Sequence, residues 1–147
     1  MRIGVPKEIK VLENRVGLTP ASVRELVAHG HAVDVERNAG VGIGVEDSEY
    51  IAAGATIAPD ADAVFAAAEM IVKVKEPQPD ECKRLRPGQI LFTYLHLAPD
   101  PEQARALIAS GAVCISWIRM RSPLSSTSSC TTRVPAAISS SVAIPAL

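Results

Sequence analysis

Asp60-Ala61-Asp62-Ala63-Val64-Phe65-Ala66-Ala67-Ala68-Glu69-Met70-Ile71-Val72-Lys73-Val74-Lys75-Glu76-Pro77 contains a change of period that decides the fold class. Asp60 can cap a helix over 62–68, because its carboxylate accepts a first-turn N–H and the alanines behind it favour helix. Apolar and β-branched residues take over at 70–74, a strand stopped by Glu76-Pro77. The alternation continues in both directions. Upstream, residues 2–6 read as a buried first strand stopped by Pro6. Thr19-Pro20 opens a helix, with Val23, Leu26 and Val27 at i, i+3, i+4 and Gly30 placed to end it. Residues 32–36 are a second strand, 46–53 a short helix and 55–57 a brief strand. Downstream, 90–94 is a strand, 101–109 a helix closed by Ser110-Gly111, and 113–115 a last apolar triplet with strand character. Strands alternating with helices at this spacing predict an α/β fold. The expected sheet is mostly parallel, twisted and covered by helices on both faces.

The chain has 147 residues, 48% of them hydrophobic, which excludes a wholly disordered chain. Its formal net charge of −1 gives no reason to expect nucleic acid or an anionic membrane as partner. The longest apolar run, residues 63–72, is cut by Glu69 and is far too short for a membrane span. Cys82, Cys114 and Cys130 are widely spaced and form no metal-ligand pattern, so no metal is expected and a reducing compartment fits. The first residues carry no signal-peptide core, and the expected location is cytoplasmic.

Composition changes near residue 116. Residues 1–115 hold all 16 acidic residues, whereas 116–147 have no Asp, Glu, Lys or Gly and are rich in serine. The expected division is therefore a folded domain over 1–115 and a separate, irregular stretch over 116–147, with a frameshift or chimeric junction as its expected origin.

Ligands of an open parallel sheet gather beyond the carboxyl ends of its strands, where strand order reverses. Among post-strand residues, Arg15, Lys75 and His96 carry chemistry. Arg15 has a fork suited to a carboxylate, against a surface pairing with Glu13. Lys75 offers a point charge to an anion, against simple extension into solvent; Lys73, one alternation away, is expected on the same face. His96 can exchange protons near neutral pH, against a structural histidine. His29 and His31 flank Gly30 and are expected to meet the helix-terminal carbonyls. Asn38-Ala39-Gly40-Val41-Gly42-Ile43-Gly44 follows a strand as a dinucleotide loop would, but its third glycine comes one residue too early. Tight backbone turns explain these glycines better.

Residues 1–8, Asn14-Arg15-Val16 and Thr19-Pro20 together resemble the opening of the alanine dehydrogenase and pyridine nucleotide transhydrogenase family. Lys73-Val74-Lys75-Glu76-Pro77 and Gly88-Gln89-Ile90-Leu91-Phe92-Thr93-Tyr94-Leu95-His96-Leu97-Ala98 resemble its alanine dehydrogenase branch. The resemblance implies that Arg15 and Lys75 hold the carboxylate and carbonyl end of pyruvate or L-alanine, and that His96 handles protons. It implies oxidative deamination of L-alanine to pyruvate and ammonium, with NAD as the hydride acceptor of full-length members, which are expected to be homo-oligomers. Residues 1–115 would then be a substrate-binding portion, without the NAD-binding domain, binding NAD poorly and inactive alone. A transhydrogenase subunit fragment and a non-enzymatic anion-binding module are the alternatives.

Overall fold

The computed structural model describes residues 1–116. Strands β1 (Arg2–Val5), β2 (Ala32–Glu36), β3 (Thr56–Ala58), β4 (Met70–Val72), β5 (Ile90–Thr93) and β6 (Val113–Ser116) make one sheet in the order β3-β2-β1-β4-β5-β6. Every neighbouring pair is parallel, as the crossover lengths required. The helices are α1 (Pro20–Ala28), α2 (Asp47–Ala52), α3 (Ala61–Ala67), α4 (Pro79–Arg84) and α5 (Pro101–Ser110).

The chain steps outward from β1 to β3, then crosses back to β4 and steps outward the other way. Right-handed crossovers running in opposite directions place their helices on opposite faces. Two cores result. One packs Val23 of α1 and Tyr50 of α2 on Ile3, Val5, Val33 and Val35; the other packs Val64 and Phe65 of α3, Cys82 of α4 and Leu107 of α5 on Ile71 and Leu91. The reversal lies between β1 and β4, so the loops after these two strands flank one crevice at the carboxyl edge.

Local chemistry sets the helix ends. Thr19 accepts from the Ser22 N–H and Asp60 from the Ala63 N–H; Gly30 and Gly111 take the left-handed conformation past α1 and α5, at φ +80° and +68°. His29 Nδ1 meets the Glu25 carbonyl at 2.8 Å as expected, whereas His31 Nδ1 lies 3.3 Å from the terminal amine instead of a helix carbonyl.

Two elements differ from the sequence reading. β4 stops at Val72 rather than 74, although the Lys73 N–H still donates to the Phe92 carbonyl and the Val74 carbonyl still accepts from the Tyr94 N–H. α4 had no counterpart in the pattern: six residues bearing Cys82 as their apolar anchor give too little period to detect. Its Gln78/Glu81 capping box supplies what propensity does not. Ser116 closes β6 opposite Thr93, and the expectation for the rest of 116–147 falls outside the described residues.

Candidate functional site

Arg15, Lys75 and His96 follow β1, β4 and β5 and share the carboxyl edge of the sheet. Close backbone approach joins the first two. Gly17 presses on the end of β4 so tightly that a Cβ there would stand 2.4 Å from the Val72 carbonyl oxygen. Gly42 supports the same loop from below, since its Cβ would lie 2.3 Å from the Asn14 carbonyl oxygen. The glycine-rich segment therefore buttresses the Arg15 loop. Lys10 and Glu76 form an ion pair between the two loops. Burial opposes ionisation of Glu76, but Lys10 outweighs it and holds the carboxyl below its ordinary range.

The Arg15 guanidinium is exposed and engages Glu13 with both ends of its fork, Nε to Oε1 at 2.8 Å and Nη2 to Oε2 at 2.5 Å. That contact holds the Glu13 carboxyl down at about 2, with the Lys75 charge a smaller contribution in the same direction. The surface pairing weighed in the sequence is thus present, and it leaves the guanidinium open to solvent on its other edges.

Lys75 is half-buried, its backbone fixed from both sides. The Thr93 hydroxyl donates to its carbonyl at 2.6 Å, and its N–H reaches Glu8 Oε1 at 3.4 Å. Lys73, two residues earlier, is fully buried between Glu81 of α4 at 2.5 Å and Glu8 at 3.3 Å, on the side of the sheet where Ile71 packs. Burial pushes the Glu8 carboxyl up, and Lys73 together with the Val74 N–H offsets only part of that effect. Glu8 was absent from the candidate residues; the available signal was a carboxylate two residues after a strand-ending proline at the switch point.

His96 is exposed in the left-handed conformation at φ +45°, its ring edge-on to Tyr94 with centroids 5.6 Å apart. The Tyr94 N–H donates to the Val74 carbonyl at 3.3 Å, which sets this loop beside the Lys75 turn. A non-glycine residue held at positive φ is uncommon and costs roughly 1–2 kcal/mol. A groove of about 950 Å³ between α4 and α5 touches this region through Lys10 and Glu76 but includes none of Arg15, Lys75 and His96. Among the described residues no group of three or more His, Cys, Asp or Glu side chains could hold a metal ion, and no helix is long and apolar enough to cross a membrane.

A profile described as "Alanine dehydrogenase/PNT, N-terminal domain" matches residues 4–124. The chain belongs to this family. It is 56% identical over 108 residues to an alanine dehydrogenase of Methanococcus maripaludis, covering 74% of this chain and 29% of that protein. It is 53% identical over 117 residues to the Bacillus subtilis alanine dehydrogenase, covering 80% and 31%. Among solved structures, an L-alanine dehydrogenase superposes with a TM-score of 0.77 at 50% identity, over 79% of this chain and 32% of that one. A transhydrogenase from Sinorhizobium meliloti gives 0.74 at 28% identity, over 79% and 34%. The chain thus spans about a third of the relatives it matches.

Relatives named dehydrogenases raise the question of a nicotinamide dinucleotide site. Neither the turn after β1 nor the glycine-rich segment fits one. The turn after β1 is Pro6-Lys7-Glu8, which lacks one N–H and buries a carboxylate where a pyrophosphate would need donors. Gly40 and Gly42 already face Tyr50, Val45 and Asn14.

Proposed function

We propose that residues 1–116 form the substrate-holding part of an NAD-dependent alanine dehydrogenase. The observation that carries this reading is that the loops bearing Arg15, Lys75 and His96 follow the adjacent strands β1, β4 and β5 at one sheet edge and are tied to one another through their backbones. In this reading Arg15 engages the carboxylate of pyruvate or L-alanine through its free donors. Lys75 presents an ammonium to the carbonyl oxygen. His96 gives and takes the proton at the atom that leaves or joins the substrate's central carbon. The overall change is L-alanine, water and NAD⁺ to pyruvate, ammonium, NADH and a proton.

The Sinorhizobium meliloti structure favours a second reading, a soluble part of a transhydrogenase, because the fold is shared at 28% identity. Pyruvate binding separates the two. Titrating pyruvate into ¹⁵N-labelled protein should shift amides in 10–19, 73–76 and 94–97 in wild type and not in Arg15→Ala or Lys75→Ala. His96→Ala should still bind, because its proton role acts after binding. Absence of any pyruvate response in wild type would remove the dehydrogenase reading.

A further inference from the structure

Glu8 sits at the centre of the switch point with its side chain 2% exposed, and its two oxygens do different things. Oε1 accepts from the Val74 N–H at 2.7 Å and from the Lys75 N–H at 3.4 Å. Oε2 faces the Lys73 ammonium at 3.3 Å without a hydrogen bond. Lys73 is anchored in turn by Glu81 Oε1 at 2.5 Å, and Glu81 Oε2 accepts the Gln78 N–H at 2.7 Å at the head of α4. This buried set connects the first loop to α4 through the turn that carries Lys75.

A buried ion set is weak evidence for stability, because desolvation cancels most of the attraction. Geometry is what it supplies. Removing the 74–75 amides from water without acceptors would be costly, and Glu8 meets them from the β1 side. Thr93 meets the Lys75 carbonyl from the β5 side. The backbone on which the Lys75 ammonium swings is therefore clamped between two neighbouring strands.

We propose that Glu8 is a positioning residue for Lys75, acting through the Val74 and Lys75 amides, with Lys73 and Glu81 holding its carboxylate in place. The proposal rests on the reading of Lys75 as a substrate-holding residue. A 1 Å displacement of such a group costs up to roughly a hundredfold in reactivity, and a smaller share of that in binding.

The test uses the whole 147-residue chain, ¹⁵N-labelled, with pyruvate as probe. Glu8→Ala should weaken pyruvate binding at least about tenfold, whereas Glu8→Gln, whose carbonyl still accepts from Val74, should stay within about threefold of wild type. The Val74 amide proton should move upfield in Glu8→Ala and hold its place in Glu8→Gln. If Glu8→Ala fails to fold, Glu8→Asp, one methylene shorter, carries the same expectation. Binding unchanged in a folded Glu8→Ala, while Lys75→Ala loses it, would overturn the proposal. If wild type ignores pyruvate, the substrate reading fails separately. In that event an unshifted Val74 amide and unaltered Lys75 exchange in Glu8→Ala would overturn the positioning role.

Discussion

Arg15 carries a carboxylate partner before any ligand arrives, so an incoming carboxylate shares or displaces the charge of Glu13. Glu13→Gln should tighten pyruvate binding by about two- to fivefold, the range expected for releasing a pair whose guanidinium is exposed, as measured by calorimetric titration. The two acidic residues of this crevice respond to pH in opposite senses. Glu13 titrates at about 2 in the fold against an ordinary 4.5, so its contribution is complete above about pH 4.5 and lost as pH falls toward 2. Glu8 is shifted upward by burial, among Lys73, Glu81 and the more distant Arg15 charge. Its contribution is present below 4.5, where it is protonated in both states, and lost as pH rises through its folded value. Denaturant midpoints measured across pH should therefore fall less steeply toward acid in Glu13→Gln and decline less above 4.5 in Glu8→Gln, with Glu76 and Glu36 among the groups that supply the remainder. At His96 the left-handed backbone favours glycine. His96→Gly should raise stability by about 0.5–1 kcal/mol while removing the side chain proposed to exchange protons, a split visible by pairing thermal melts with turnover in a full-length relative.

At the scale of elements, two glycines separate close approach from backbone conformation. A methyl on Gly17 meets backbone at β4, which cannot rotate away, whereas Gly30 faces open space at φ +80°. Gly17→Ala should cost about 1–3 kcal/mol and weaken pyruvate binding, because the Arg15 loop must lift off β4. Gly30→Ala should cost about 1–2 kcal/mol through its backbone alone and leave binding unchanged. Chemical denaturation alongside pyruvate titration checks both variants. Equal effects on binding would mean that the Gly17 contact does not set the Arg15 loop.

For the molecule as a whole, ligand binding and stability are linked through the switch point. Pyruvate at about a hundredfold over its Kd should stabilise the fold by about 2.7 kcal/mol. Slowed amide exchange should concentrate in 10–19, 73–76 and 94–97, with β3, on the far side of β2, unaffected. Uniform protection would place the ligand elsewhere. In the core, Leu91 is fully buried on β5, between β4 and β6, so Leu91→Ala should cost about 2–5 kcal/mol by denaturation.

The sequence by itself determined the α/β class and the strands, because these depend on short-range signals. Apolar period distinguishes 62–68 from 70–74, Thr19, Asp60 and Gly111 mark helix ends, and Arg15, Lys75 and His96 follow strands. Resemblance added the family, which the match over residues 4–124 bears out. Strand order, and with it the crevice between β1 and β4, was decided only in three dimensions, since it depends on which strands find each other across the chain. The same holds for Lys73. Alternation treats Lys73 and Lys75 alike, but the fold buries Lys73 in a pocket between Glu8 and Glu81 and leaves Lys75 half-buried. Glu8 and Glu81 are 65 and 8 residues from Lys73 along the chain, and no local pattern announces a buried charge whose partners arrive from another loop and from a helix.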